Sequence, residues 1–286
     1  MSYDLFFRSS ALPSAQAIRE YFSGRPHYDV RETQAWYENP TTGVYFSFDF
    51  GGDAPSLSFN LNYNRPAFFG LEAEPEVTAL VAHFDLGVED PQMDGMGEGP
   101  YSPEGFLRGW NAGNRFGVSA TRARGSSAPA LPEATNTGVW RWNGMREAYL
   151  DALGSLELLP TFVPTIMLLA PEDDPTAVHT AVVWSNAMAF MLPRVDRILV
   201  KGPDESLCAL SYEAVAPLVQ SLPLRPADYT FKTGGRHWQA GLAHRVIEED
   251  LRSGALFDLL TQGGEALPKL TRIAPDQVID RELLEG

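Results

Sequence analysis

Hydrophobic and polar positions alternate with a two-residue period over much of the region between residues 2 and 63. This period predicts strands over Ser2–Arg8, Thr33–Glu38, Gly43–Phe50 and Ser56–Tyr63, each with its apolar side chains on one face. The turn-forming run Asn-Pro-Thr-Thr-Gly at 39–43 joins the second and third of these strands as a hairpin. The alternating pattern therefore predicts an antiparallel sheet with one buried face in the N-terminal region.

Apolar residues at helical spacing follow the first and the last of these strands. The helix after the first strand is expected to end at Gly24, because glycine is favoured just after the last turn of a helix. A further short strand is expected over Ala67–Ala73, followed by a helix that begins at Pro75 because proline is favoured in the first turn. Helices that cover one face of an antiparallel sheet are typical of the α+β class.

The C-terminal half has a different pattern. Short, nearly continuous apolar runs at Thr165–Leu169, His179–Trp184 and Arg197–Val200 are typical of strands covered on both faces. Helical patterns follow, including one over Ala240–Leu251. We therefore predict an α+β protein: an N-terminal antiparallel sheet with covering helices, followed by a C-terminal mixed α/β part.

A glycine-rich, acidic segment from Glu89 to Tyr101 separates the two patterns. Such a segment is typical of a domain boundary or a long surface loop. It predicts one domain over residues 1–100 and a second over 101–286, packed as two bodies or as one continuous body.

Charge restricts the classes of partner. Lys and Arg number 22, Asp and Glu number 37, and the net charge is -15. Such a chain repels phosphate backbones and anionic lipid surfaces, so we expect neither a nucleic-acid nor a membrane partner, whereas a basic protein is attracted. The chain has a single cysteine, Cys208, so it cannot form an internal disulfide, and we predict that Cys208 is a small buried residue. The sequence shows no signal peptide. We expect a cytoplasmic protein.

The negative charge is concentrated in one segment. Residues 66–107 contain no Lys or Arg and nine acidic residues. We expect the segment to be mostly exposed, either as a solvated acidic face or as a docking surface for a basic protein. The residues assigned to the docking surface are Glu72, Glu74, Glu76, Glu89, Asp90, Asp94 and Glu98.

No phosphate-loop, dinucleotide, nucleophile-elbow or zinc-protease motif occurs in the chain, and no cofactor is expected. An alternative to a binding function is a metal-dependent enzyme. If residues 238–251 were helical, His244 and Glu248 would share a face with His237 about two turns back, and these three could bind a divalent metal. The same residues fit an ordinary helix surface, and a scaffolding domain without a dedicated ligand is a third possibility.

The N-terminal sequence carries a resemblance. Tyr3-Asp4-Leu5-Phe6-Phe7, a short helix, and the hairpin from Tyr37 to Phe50 (Tyr-Glu-Asn-Pro-Thr-Thr-Gly-Val-Tyr-Phe-Ser-Phe-Asp-Phe) resemble bacterial immunity proteins that are encoded beside polymorphic toxins. The resemblance covers roughly residues 1–70. It implies a cytosolic protein that binds a cognate toxin domain and blocks its active site without catalysis, and an acidic inhibitor suits a basic nuclease.

Overall fold

The chain is an α+β protein. The computed structural model describes residues 1–51, 56–92, 94–125, 128–155, 161–184, 189–201, 207–215, 226–227, 230–233, 236–239, 243–246, 265–267 and 269–285. Its helices are labelled α1 (Ala15–Ser23), α2 (Phe68–Phe84), α3 (Pro103–Ala123), α4 (Glu133–Gly144) and α5 (Arg146–Ser155).

The contacts divide the chain into two compact units. The first contains Met1–Thr137 together with Pro275–Gly286, and the second contains Gly138–Ala274. The boundary predicted near residue 100 therefore lies inside the first unit. The reason is that α3 packs on the N-terminal sheet, where the rings of Phe106 and Tyr3 meet edge to face at 5.2 Å.

The first unit is built on a seven-stranded sheet with the order β2-β3-β4-β5-β1-β6-β7, antiparallel throughout. Its strands are β1 (Ser2–Arg8), β2 (Tyr28–Val30), β3 (Gln34–Asn39), β4 (Val44–Phe50), β5 (Leu57–Asn62), β6 (Gly87–Asp90) and β7 (Gly97–Gly99). A short parallel pair joins β8 (Ala130–Leu131) to β21 (Ile279–Asp280) near the end of the chain. The predicted antiparallel sheet with covering helices is confirmed.

Helix α2 begins earlier than the sequence indicates. It starts at Phe68 and contains Pro75 in its interior, so the predicted strand over 67–73 is wrong. Burial explains the difference, because Phe68 and Phe69 are almost fully buried and extend the apolar surface of the helix. At Gly70 the backbone passes so close to Trp110 that an added Cβ would lie 2.2 Å from the indole Cδ1.

The second unit contains a six-stranded mixed sheet with the order β19-β14-β13-β11-β10-β20 and a four-stranded sheet with the order β15-β18-β12-β9. Strands β11 and β13 pair in parallel, as do β9 and β12. The strands, including the hairpin β16–β17, are β9 (Thr161–Phe162), β10 (Met167–Pro171), β11 (His179–Trp184), β12 (Ala189–Leu192), β13 (Arg197–Lys201), β14 (Leu207–Ser211), β15 (Pro226–Ala227), β16 (Thr230–Thr233), β17 (Arg236–Gln239), β18 (Ala243–Val246), β19 (Glu265–Ala266) and β20 (Leu270–Ile273).

The three buried strands predicted in the second unit correspond to β10, β11 and β13, and the mixed α/β character is confirmed. The helix predicted over 240–251 is wrong at residues 243–246, which form β18 and pair with β12 and β15. In the part of the chain that the structure describes, no helix combines the length and apolar character needed to cross a bilayer.

Candidate functional site

The two faces of the seven-stranded sheet differ in chemistry. The inner face, covered by helices α1, α2 and α3, is formed by aromatic and aliphatic side chains such as Phe46, Phe48 and Phe59, all 2% exposed or less. The outer face carries polar and charged side chains at the alternate positions of the same strands. The strand pattern therefore produces one core face and one polar face.

Several carboxylates predicted to form an acidic surface lie on the inner side instead. Glu72 of α2 accepts hydrogen bonds from the hydroxyl of Tyr37 at 2.8 Å, from Asn39 Nδ2 at 2.8 Å and from Thr42 Oγ1 at 3.0 Å. These donors belong to β3 and the turn that follows it. Glu72 therefore attaches α2 to the β3–β4 hairpin.

The neighbouring acids of α2 have similar roles. Glu76 accepts hydrogen bonds from Arg25 Nη2 at 2.6 Å and from the Tyr28 hydroxyl at 3.0 Å. Glu74 has no exposed surface, and its Oε1 lies 3.2 Å from the Tyr101 hydroxyl. Both carboxylates are thus bound within the first unit.

Asp90 completes the inward set. Its side chain is 3% exposed and accepts hydrogen bonds from the Tyr3 hydroxyl at 2.6 Å and from the backbone N–H groups of Gln92 and Met96, each at 3.0 Å. Each of the four inward acids thus accepts a hydrogen bond from a tyrosine hydroxyl; these acids are Glu72, Glu74, Glu76 and Asp90. Burial, and then the adjoining carboxylate, raises the pKa of Tyr3, Tyr28 and Tyr37, so these hydroxyls remain hydrogen-bond donors.

The expectation that the acidic segment is mostly exposed is therefore wrong for Glu72, Glu74, Glu76 and Asp90. The remaining three predicted residues do reach the surface. Glu89 and Glu98 are register partners across β6 and β7 on the outer face, and Glu89 also pairs with Arg8. Asp94 is exposed in the loop between these strands.

The outer face contains a hydrogen-bonded polar array across β1, β3, β4 and β5. Asp4 accepts hydrogen bonds from Asn60 Nδ2 at 2.5 Å and Ser2 Oγ at 2.9 Å. Asp49 accepts hydrogen bonds from Gln34 Nε2 at 2.8 Å and Ser47 Oγ at 3.3 Å. These bonds fix the carboxylates in the plane of the face, so the negative charge there is preorganised.

Two aromatic side chains stand beside this array. The rings of Trp36 and Tyr45 are stacked at a centroid distance of 5.6 Å and an interplanar angle of 18°. The Arg65 guanidinium lies 5.5 Å from the centroid of Tyr45 and bonds its hydroxyl through Nε at 3.1 Å. Both rings are partly exposed, and stacking restricts their rotamers before any partner binds.

An open cleft borders Trp36 at the β2–β3 edge of the sheet. Its volume is about 690 Å³, and its lining includes His27, Asp29, Trp36 and Glu38. Asp29 pairs with Trp36 in register, so the cleft continues the outer face. The indole Nε1 of Trp36 donates to Glu38 at 3.2 Å.

The charge of the whole outer face is negative. Three guanidinium groups, those of Arg8, Arg31 and Arg65, lie at this face. Its carboxylates are those of Asp4, Asp29, Glu38, Asp49, Glu89 and Glu98. We define this set, with Trp36 and Tyr45, as the outer face site.

The alternative metal site loses its geometric basis. His237 lies in β17, opposite Lys232 of the β16–β17 hairpin, and His244 lies in β18, opposite Leu192 and Pro226. The helix that would have placed them on one surface is absent at these residues, and Glu248 lies outside the described residues. Among the side chains that the structure describes, no group of three or more His, Cys, Asp or Glu could hold a metal ion.

Comparisons with known proteins give no relative. No family model, no curated protein and no solved structure matches this chain. The evidence that bears on the function of this protein is the outer face site and the sequence resemblance of residues 1–70.

Sequence reasoning missed most of the outer face site, although one signal was present. Tyrosines at inward strand positions need hydrogen-bond partners for their hydroxyls when buried. Tyr3 and Tyr37 occupy such positions, so acceptors for them were to be expected among nearby acids. Assigning those acids inward leaves Asp4, Asp49 and Glu38, at the opposite strand positions, as the surface charges.

Proposed function

We propose that this protein is an intracellular immunity protein that neutralises a basic toxin domain by direct binding, without catalysis, and that the outer face site is its docking surface. The observation that supports the proposal most strongly is the negative outer face, which α1, α2 and α3 leave open except at Tyr45, where Phe69 of α2 packs at 5.7 Å and Asp276 lies 3.4 Å from the hydroxyl. The resemblance agrees with it, because residues 1–70 supply β1 to β5 and hence most of this face.

The charge of the face selects the partner. Six carboxylates around three guanidiniums attract a cationic protein and speed its association, most of all at low salt. A toxin that acts on nucleic acid carries such a cationic surface, because it must bind phosphates. Binding over that surface would block its active site.

The aromatic pair supplies the apolar contribution. Tryptophan and tyrosine are enriched among residues that dominate interface energies, especially at the centre of a contact. Trp36 and Tyr45 lie between the cleft and the polar array, so a partner that covers the face would bury both rings. A basic side chain of the partner that enters the cleft would meet Glu38, and it would also meet Asp29, which is ion-paired with Arg31 at 3.0 Å.

Co-expression with the toxin-like reading frame adjacent to the gene tests the proposal. The wild-type chain should restore growth, and the purified pair should form a complex whose association rate falls as salt rises. Reversal of two exposed charges, Glu38→Lys with Glu98→Lys, should weaken the complex about tenfold, mainly through slower association. Trp36→Ala should weaken it by at least about 2 kcal/mol, mainly through faster dissociation.

A matched control is available in the second unit. Glu172→Lys with Asp173→Lys changes the net charge equally at two exposed positions. This variant should bind like the wild type. A wild-type chain that fails to restore growth would contradict the neutralising function, whereas equal weakening by both double variants would contradict the outer face as the docking surface.

A further inference from the structure

The exposed side of α3 has the opposite charge to the outer face. Residues 105–132 contain four arginines and no acidic residue. Arg108, Arg115 and Arg122 recur every seven residues and are exposed, on the side of the helix opposite the buried Trp110. Arg124 adds a fourth exposed guanidinium directly after the helix. We call Arg108, Arg115 and Arg122 the arginine stripe.

Arg108, Arg115 and Arg122 form no ion pair with a described residue, although the exposed Glu104 lies four residues before Arg108 on the same side of α3. Arg108 donates to the backbone carbonyls of Asp94 and Gly95, and Arg122 donates to that of Leu284. A carbonyl orients a guanidinium but does not cancel its charge. Arg8, Arg25 and Arg31, by contrast, do form ion pairs with carboxylates.

Apolar surface accompanies the stripe. Phe116 is 70% exposed and follows Arg115 directly. At the C-terminal end of α3, a pocket of about 340 Å³ combines Arg122 with the apolar side chains of Val118, Ile279 and Leu284. The exposed phenylalanine and the pocket beside Arg122 provide apolar contacts next to the positive charge of the stripe.

From these observations we propose that the exposed face of α3 is a second docking surface, which binds an acidic amphipathic helix of a partner protein. The spacing of the stripe selects this partner. Seven residues of helix correspond to about 10 Å, so glutamates at every seventh position of a helix lying alongside α3 would meet successive arginines. An apolar side chain of the same helix would contact Phe116 or enter the pocket.

The net charge of the whole chain favours an acidic helix over nucleic acids and anionic membranes as the partner of this surface. A net charge of -15 repels the long, uniform charge of a nucleic-acid backbone and of an anionic membrane. A single peptide helix has a short charged edge that feels mainly the local arginines, since charges beyond about 10 Å are screened at ordinary salt. The second docking surface is independent of the outer face site.

The test uses the full chain and a fluorescent helical peptide with glutamate at every seventh position and leucine between them. Fluorescence anisotropy at low salt should show binding that weakens as salt rises. Arg115→Glu should weaken binding about tenfold, and Phe116→Ser should weaken it several-fold, because both change exposed side chains. Arg194→Glu, an equal charge change at an exposed residue of the second unit, is the matched control and should bind like the wild type.

Three results would overturn the proposal: no binding of the peptide by the wild type, equal weakening by Arg194→Glu, or tighter Arg115-dependent binding of a DNA duplex or phosphatidylserine vesicles than of the peptide. The Arg115→Glu variant should still restore growth beside the toxin. The two proposals can therefore fail separately.

Discussion

The inward and outward carboxylates of the first unit show that the same residue type has different surroundings depending on which face of a sheet it meets. Asp90 is buried and receives three donors, among them the Tyr3 hydroxyl, whereas Asp49 is half-buried and receives two side-chain donors on the open face. Acids that look alike in sequence therefore differ in the cost of changing them. The inner set fixes helices and loops to the sheet, and the outer set remains accessible to a partner.

The inner side should be the most sensitive to added volume. Gly70→Ala places a methyl group 2.2 Å from Cδ1 of the fully buried Trp110, and neither α2 nor the indole has free space. We expect a loss of about 2–3 kcal/mol in the free energy of unfolding, measured by urea denaturation, because overpacking exceeds the gain in helix propensity.

Gly138→Ala is the matched control for that substitution. This helical glycine has nothing within 4 Å of the position of an added Cβ. The protein should gain about 0.5–1 kcal/mol, since alanine is the better helix former. Destabilisation of both variants to the same degree would show that the tight contact with Trp110 is not the cause.

Asp90 on the inner side and Asp49 on the outer face provide the most direct test of the difference between the two faces. Asp90→Asn should cost about 2 kcal/mol of unfolding free energy, because the amide Nδ2 would face donors in a buried site. Asp49→Asn should cost less than about 1 kcal/mol, since water reaches the outer face. Chemical denaturation of both variants measures the difference, and equal costs would mean that the two faces do not differ in this way.

A third buried acid predicts a pH dependence. Asp280 is 2% exposed and accepts hydrogen bonds from the Ala67 N–H at 2.7 Å and from Asn136 Nδ2 at 2.8 Å. Burial raises the pKa of Asp280 from 3.8 to about 6, against the opposing effect of these two hydrogen bonds. The folded state therefore holds this proton more tightly than the unfolded state does.

The sign of the effect follows from linkage. Below the unfolded pKa the carboxyl is protonated in both states and has no charge to bury. As the pH rises from about 4 to 6, the folded protein loses stability relative to the unfolded chain, by about 3 kcal/mol at neutral pH. Asp280→Asn should remove this slope in a series of urea titrations from pH 4 to 7. A variant that keeps the wild-type slope would assign it to other groups.

Strands β1 and β3 to β5 were predictable because strict alternation identifies both faces of a sheet, as Phe46 and Phe48 of β4 show. The pairing of β6 with β7 was not predicted, because the glycine-rich segment 89–101 was expected to be a loop. The start of α2 was not, because Pro75 suggests a helix start and only the burial of Phe68 and Phe69 reveals the earlier one. Near the end of the chain, helix-like apolar spacing at 243–246 was overridden by pairing with β12 and β15.

The candidate site was less predictable than the fold. Sequence gives the position of an acid along a helix or strand but not the distant donor that reaches it. Tyr37 and Glu72 are 35 residues apart, and Tyr3 and Asp90 are 87 apart. The surface charge that remains becomes evident only after such pairs have formed, which is why sequence analysis assigned Glu89 and Glu98 to the surface but not Asp4, Glu38 and Asp49.

The closing segment of the chain has a consequence for biosynthesis. Ile279 and Asp280 pair with β8, and Asp280 binds the backbone at the start of α2, so the first unit lacks these contacts until the second unit has been made. On the ribosome, the N-terminal sheet would wait for residues up to about 280 to emerge before these contacts form. Nascent chains of this protein should thus resist proteolysis in the N-terminal region only late in translation.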